Sequence, residues 1–518
     1  AAGPDGIYGE MLRCASDIVH LVFMKLFTIF EKLRSVPNLW KEAIVVPVYK
    51  KSDPQSIENY RPISLTCVPR RLYERLLCWK LNSVDYRLHR GQAGFRQGRS
   101  CMDHLICVNE SFISHPEAIH GFLDLKSAYD LVDRRILWTI LSSYSEISKT
   151  DILMLRALFD DNASYLVVKG NRSRKIKNLR GLLQGSSLSP CLFNHFINGL
   201  LNKLNNEQTL SVNGIRFNCL LFADDAYLVA GNAEIFEKLL LVCERWSLSV
   251  GMRFSPSKCV IMTSRKLLQP LKIYGNALPI ENEFKYLGVE FSINGVDWLK
   301  TAQRNRKKAV SVINFFRSKG MNIEGLHPQS SLLIYKQFVR PMLDYGMAAL
   351  LWDNKALDCV QKAQNYALRS LFSAARSTST EALHKLCGIE IMETRNYSLH
   401  TKYRKKLEEI GKGENGKNFI HVQMLKNGML SVRNDREIRG TRSTLHKSIH
   451  GNRLWDAFTA SNWSVIDSEK IREEHWKTGI AKLKGGKSGN IGSAIPLLLW
   501  KRPNPLLAKK TLLKRKER

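Results

Sequence analysis

Cys219-Leu220-Leu221-Phe222-Ala223-Asp224-Asp225-Ala226-Tyr227-Leu228-Val229-Ala230 is two apolar runs joined at an acidic pair. Short runs of Leu, Phe, Tyr and Val read as strands, and the two-residue link reads as a tight hairpin with both aspartates at its tip. Adjacent carboxylates repel each other, and neither has a basic neighbour in sequence. If only a turn were needed, other residues would make it better. A divalent cation offsets the repulsion, and hard carboxylate oxygens suit Mg²⁺.

Upstream, Gly121-Phe122-Leu123-Asp124-Leu125-Lys126-Ser127-Ala128-Tyr129-Asp130 delivers a third carboxylate at the end of an apolar strand. A helix is expected next, with Val132, Ile136, Leu137, Ile140 and Leu141 on one face. Alone, Asp124 reads as a strand-end helix cap. Together, Asp124, Asp224 and Asp225 could hold two cations about 3.5–4 Å apart, the arrangement used for in-line displacement at phosphorus. Between these stretches lies Arg180-Gly181-Leu182-Leu183-Gln184-Gly185-Ser186-Ser187-Leu188-Ser189-Pro190, a small-residue loop that lets backbone approach a substrate closely. A helix follows it, with Leu192, Phe193, Phe196, Ile197 and Leu200 on its buried side.

The rest of the chain agrees with a phosphate-rich partner. Its 518 residues carry 79 Lys+Arg against 47 Asp+Glu, a net charge of +32 that a polyanion would relieve. That length argues for two or three domains. The eleven cysteines include no C-x-x-C pair, and Cys101 and Cys107 have no His companion at zinc-finger spacing. No apolar run reaches the roughly 18 residues of a bilayer span; His20 to Phe30 is nearest, and Lys25 interrupts it. The opening Ala1-Ala2-Gly3-Pro4-Asp5-Gly6 lacks a Met, and the expectation is a fragment or a decayed copy.

Residues 1–120 mix helix signals with a strand over Ala43 to Val48, and residues 121–265 alternate β-rich runs with helices, an α+β pattern. From about 297 to 400 the reading is helical, with Leu332, Leu333, Phe338 and Leu343 as apolar punctuation and Arg304, Arg306, Lys307 and Lys308 as a basic face. Residues 401–518 hold 27 Lys/Arg against 11 Asp/Glu, with weak periodicity and Gly-rich breaks at 485–492. That region is expected to be partly disordered. It reads either as a binder of RNA phosphates or as a solvated extension.

The order of these segments resembles the reverse transcriptases of non-LTR (LINE-type) retrotransposons and, more distantly, those of group II introns. Gly3-Pro4-Asp5-Gly6 resembles the most N-terminal block of that family. Asn59-Tyr60-Arg61-Pro62-Ile63-Ser64-Leu65 and Gln92-Ala93-Gly94-Phe95-Arg96-Gln97-Gly98-Arg99-Ser100 resemble its fingers blocks. The stretches around Asp124, Gln184-Gly185 and Asp224-Asp225 resemble its three palm motifs. Gly251-Met252-Arg253-Phe254-Ser255-Pro256-Ser257-Lys258-Cys259 and Tyr286-Leu287-Gly288-Val289 resemble the two that follow, and Leu343-Asp344-Tyr345-Gly346 with Trp352 resembles the helical thumb region.

The resemblance implies an α+β right-hand polymerase fold, with fingers over 1–120, a palm with an antiparallel sheet over 121–296, a helical thumb over 297–400 and a basic helical C-terminal region over 401–518. It implies an RNA-directed DNA polymerase using two Mg²⁺ ions, with Mn²⁺ as a substitute, held by Asp124, Asp224 and Asp225. Arg61, with Lys50 or Lys51, would grip the dNTP triphosphate. Tyr129 would lie under the sugar and block a 2′-hydroxyl, while Gln184 and Gly185 would touch the nascent base pair. Lys258 would protonate the departing pyrophosphate, or serve only as a surface lysine. Tyr286, Leu287, Gly288 and Val289 would form the primer grip. Template RNA, primer DNA and dNTP are the implied partners, with no membrane and no protein partner inferable. The nucleus is the implied place of action, a cytoplasmic ribonucleoprotein being the alternative. The endonuclease that often precedes this domain, a zinc knuckle and an RNase H set of acidic residues are not seen in the sequence.

Two other readings compete. An RNA-dependent RNA polymerase also uses paired aspartates, but it wants a polar residue for the 2′-hydroxyl where Tyr129 stands. A retroelement relic that binds RNA without catalysis would use the positive charge equally well.

Overall fold

The structure, a computed structural model, describes residues 1–50, 53–168, 170–320, 326–349, 352–412 and 419–423. The chain divides into two compact units, Ala1–Asp297 with the described residues beyond Arg404, and Trp298–Arg404. Residues 1–297 are one unit, with no break near residue 120.

The first unit opens with α1 (Gly9–Arg13) and α2 (Asp17–Leu33), then β1 (Glu42–Tyr49), β2 (Tyr60–Leu65), α3 (Val68–Asn82) and α4 (Cys101–Ser114). There follow β3 (Ile119–Asp124), α5 (Arg134–Ser142), α6 (Lys149–Phe159) and three further strands, β4 (Ala163–Val168), β5 (Asn171–Arg172) and β6 (Ile176–Lys177). β1 pairs with β2 antiparallel and with β4 parallel, so Arg61 lies on this sheet and Lys50, which directly follows β1, lies at its end. Of α2, only Phe27 is buried, and among the described residues no helix is long and apolar enough to cross a membrane.

Next come α7 (Ser189–Leu204), the hairpin β7 (Leu210–Val212) and β8 (Ile215–Phe217), then β9 (Cys219–Phe222), β10 (Asp225–Ala230), α8 (Ala233–Ser249) and β11 (Val260–Met262). The central sheet has the order β11-β3-β10-β9, antiparallel throughout. Side chains alternate across such a sheet, and β3 and β10 are buried on both faces. Ile119, Leu123, Ala226, Leu228 and Ile261 belong to one core with Phe193, Phe196, Phe236 and Leu240 of α7 and α8. Each such large side chain taken from water contributes about 1.5–3 kcal/mol. The opposite face carries Phe122 and Tyr227, which pack against Tyr286. Tyr286 comes from the small sheet of β14 (Glu283–Tyr286), β15 (Val289–Ser292) and β16 (Gly295–Val296), which follows the hairpin β12 (Lys272–Ile273) and β13 (Asn276–Ala277).

The second unit is helical: α9 (Trp298–Ser318), α10 (Pro328–Ile334), a π turn over Tyr335–Val339, α11 (Arg340–Asp344), α12 (Asn354–Leu371), α13 (Thr380–Cys387) and α14 (Met392–Lys412). Its core is Ala302, Ala309, Ile313, Tyr335, Leu343, Val360 and Ala367. Leu333 and Phe338, expected as apolar punctuation, are exposed, Leu333 on α10 and Phe338 within the π turn, whereas Leu343 is buried as expected. Arg306, Lys307 and Lys308 are exposed on α9, as its spacing predicts. One further expectation is corrected. Val132 is buried ahead of α5 and not on it, since turns over 127–131 separate strand from helix. The helix α14 runs through residue 400, and the second unit ends within it, at Arg404. Most of the basic 401–518 region lies outside the described residues.

Candidate active site

β3 and β10 place Asp124 and Asp225 directly opposite one another at the end of the central sheet, the register continuing through Leu123 to Ala226 and Phe122 to Tyr227. Residues opposite in an antiparallel pair project their side chains to the same face. The hairpin link is Ala223-Asp224: Asp225 already pairs with Phe222 and belongs to the strand. The expected tip of two aspartates is therefore corrected by one residue. Ala223 adopts φ +57°, a left-handed conformation that costs an L-residue with a Cβ roughly 1–2 kcal/mol. Asp124 is not a helix cap; Asp133 caps α5, its carboxylate accepting from the Arg135 N–H.

The electrostatics are those of crowded anions. Burial, then the charges of Asp224 and Asp124, lifts the Asp225 carboxyl to about 6. Burial also raises Asp224, with Asp124 adding to the rise and Arg61 opposing it. Among the described residues no three His, Cys, Asp or Glu side chains close around a common point. Like charges without a counter-charge do not converge. Three carboxylates on rigid strand ends, two of them reluctant to ionise, supply the hard oxygen donors that a divalent cation takes.

Around them stand most of the residues that the sequence singled out. Tyr129 is half-buried, stacks on Phe193 at 5.0 Å between centroids and has its hydroxyl pushed up by burial and by Asp224. Arg61 on β2 and Lys50 just past the end of β1 are exposed; Arg61 acts on Asp224, and Lys50 acts on Asp130. Lys51 lies outside the described residues. Lys258 Nζ is 3.7 Å from Asp124 Oδ2, and both groups reach solvent. Gln184 donates through Nε2 to Asp130 Oδ1 at 3.4 Å, and its carbonyl accepts from Ser64 N–H at 2.6 Å. Gly185 is required by a close approach within the fold: at φ +118°, a Cβ would stand 2.7 Å from the Ser64 carbonyl oxygen of β2. Tyr286 and Val289 are buried, Tyr286 toward Asp225, and Leu287 and Gly288, both at positive φ, form the tip of the β14–β15 hairpin.

Several residues that hold the site carry no local signal of doing so. The segment 91–94 runs beside β9, with Ala93 N–H donating to Leu221 O at 3.0 Å and Leu221 N–H to Gly91 O at 2.9 Å. Gln92 Oε1 accepts from Gly94 N–H at 3.0 Å and from Ala223 N–H at 3.3 Å. A Cβ on Gly94 would fall 2.3 Å from the Ala223 nitrogen. On the other side, the fully buried Glu74 of α3 accepts from Arg70 Nε at 2.8 Å, and from Ser186 Oγ and Ser187 N–H at 2.9 Å each. It thereby fixes the loop after Gln184. The spacing of Arg70 and Glu74 suggests only a surface i, i+4 pair.

Residues 48–291 match the family model described as reverse transcriptase (RNA-dependent DNA polymerase). The chain is 27% identical over 422 residues to a putative 115 kDa protein in the type-1 retrotransposable element R1DM of Drosophila melanogaster, covering 78% of this chain and 40% of that protein. It is 23% identical over 425 residues to a probable RNA-directed DNA polymerase from transposon BS of the same organism, covering 77% of this chain and 46% of that protein. The chain thus spans less than half the length of these curated relatives. Among solved structures, apo telomerase from Candida tropicalis matches with a TM-score of 0.40 and 12% identity, over 80% of this chain and 74% of that one. Residues 48–291 are therefore a reverse transcriptase domain, and the chain as a whole is similar to the reverse transcriptases of non-LTR retrotransposons of the R1 and BS kind.

Proposed function

We propose that this chain copies RNA into DNA by adding deoxynucleotides to a primer 3′-hydroxyl at Asp124, Asp224 and Asp225. The observation that carries the reading is the register of Asp225 against Asp124, one residue from the strained Ala223-Asp224 turn. Divalent-metal dependence is general to this family. Two Mg²⁺ ions, or Mn²⁺ in their place, are the proposed occupants of the three carboxylates. Bound there, they supply Lewis acidity to the attacking hydroxyl and to the leaving pyrophosphate.

The chain's own residues would divide the remaining work. Arg61 and Lys50, acting on Asp224 and Asp130, support a grip on the triphosphate from the sheet of residues 42–65. Lys258, close to Asp124 and open to solvent, is placed to pass a proton to the departing pyrophosphate. Tyr129, held flat on Phe193, offers a rigid edge against a ribose 2′-hydroxyl. In the primer grip, Leu287 and Gly288 would meet the primer while Tyr286 supports them from within the sheet. In this reading residues 1–120 are fingers, 121–296 palm and 297–400 thumb, and template RNA, primer DNA and dNTP are the partners.

The deciding experiment is extension of oligo(dT) on poly(rA) with Mg²⁺ and dTTP, with an Asp224→Ala/Asp225→Ala variant beside the parent. Extension by the parent alone is expected. A folded parent that binds RNA yet extends nothing would overturn the reading in favour of a catalytically silent RNA binder. The nucleus is the proposed place of action, because copying primed at a chromosomal target happens there; a tagged chain confined to the cytoplasm would refute it.

A further inference from the structure

We propose that Gln92 is a positioning residue of this site, its side-chain carbonyl being the acceptor that fixes the Ala223-Asp224 turn. The inference rests on the polymerase reading for its catalytic consequence, but its structural part stands alone. A residue with a Cβ persists in the left-handed region only where its surroundings over-determine it, and at Ala223 the surroundings can be named. Gln92 Oε1 bridges two backbone donors, Gly94 N–H and Ala223 N–H. Gly94 packs directly under the turn, and its carbonyl is in turn held by Asn194 Nδ2 at 2.6 Å. The ladder between residues 91–93 and Leu221 fixes the distance from this support to β9.

The chemistry of the amide singles out its oxygen. Gln92 is fully buried, and its Nε2 finds no acceptor among the described residues. Two converging N–H donors require an acceptor, so the orientation of the amide follows from its partners. A group kept in the interior with one end unsatisfied is explained by what the other end holds. The Ala223 N–H lies immediately before Asp224, so any relaxation of this bond moves a carboxylate of the site.

The test compares Gln92→Met, near-isosteric but without the acceptor, with Gln92→Glu, which keeps an oxygen at the same reach. Amide hydrogen exchange of peptides covering residues 219–228 is measured beside primer extension with dTTP. In Gln92→Met, exchange at the turn should quicken about 10-fold, the value of one buried hydrogen bond. The same variant should lose about 10–100-fold in kcat, as for a catalytic group misplaced by an ångström, with KM for dTTP unchanged. In Gln92→Glu, exchange should stay close to the parent. Parent-like exchange and kcat in Gln92→Met, or exchange in Gln92→Glu as fast as in Gln92→Met, would overturn the proposal. If Gln92→Met does not fold, the exchange of Gln92→Glu decides alone. If the parent itself does not polymerise, the polymerase reading fails while the exchange measurements still decide the role of Gln92.

Discussion

Asp225 shows at the scale of one residue what the site requires. Its carboxyl is lifted to about 6 from an ordinary 3.8 by burial and by two neighbouring carboxylates. The folded chain therefore holds this proton more tightly than the unfolded chain between those values. Stability falls as pH rises through that window, and the penalty is complete above it. Asp225 keeps a solvent-facing edge that screens part of the effect. In the absence of divalent cations, Asp225→Asn should raise the Tm by about 1–2 °C at pH 7.5 and leave it unchanged at pH 4. Mg²⁺ should stabilise the parent more than the variant, and the Mg²⁺ concentration needed for activity should climb as pH drops below about 6, where Asp225 takes up its proton. A Tm difference independent of pH, read by calorimetry, would dismiss this account. Tyr129 makes the second prediction at this scale. With its ring held against Phe193, Tyr129→Ala opens space where the sugar would lie, and incorporation of rUTP relative to dTTP on poly(rA) should rise about 10–100-fold. Unchanged sugar selection in that variant would remove the gate assignment.

At the scale of elements, the site is a sheet end clamped from two sides by chain that is distant in sequence. Glu74 and Ser186 are 112 residues apart, and Gln92 and Ala223 are 131 apart. Glu74 and Arg70 are both wholly buried, so removing one partner strands the other's charge. Glu74→Leu is expected to cost about 3–5 kcal/mol, and Arg70→Leu/Glu74→Leu to cost less than the single change. Equilibrium denaturation measures both, and a double variant weaker than Glu74→Leu would show that the pair's charge is not what matters. This separation also explains which features are legible in the sequence. The hairpin at 219–230 and the strand ending at Asp124 announce themselves through local alternation of apolar and acidic residues. The turn reads one position too far along the chain because nothing local shows that Ala223, and not Asp225, takes the left-handed conformation. The contacts of Gln92 and Glu74 are not legible because their partners are fixed by tertiary packing; in sequence Gln92 is one polar residue opening the 92–100 block and Glu74 is half of an i, i+4 pair.

Across the whole molecule, charge is the property that local structure does not use up. Residues 424–518 alone hold 21 Lys/Arg against 8 Asp/Glu. Cutting the chain at 401 would sever α14, which runs to Lys412, and would remove Phe419, whose ring lies 3.3 Å beneath the Arg99 guanidinium. The informative truncation is therefore after Gln423, which leaves α14 and the Arg99–Phe419 stack in place. If this basic region neutralises template phosphates, its removal should weaken RNA binding at least about 10-fold in low salt. The slope of log affinity against log salt should then become shallower by about 0.7 for each single-strand phosphate that is no longer neutralised, so the two chains converge as salt rises. Extension of a short primed template at saturating RNA should persist, because the carboxylates and their supports all lie before residue 300. A truncated chain that binds RNA as tightly as the full one at every salt concentration would mean that the excess charge of the last 95 residues serves solvation, and that the grip on RNA belongs to the residues before them.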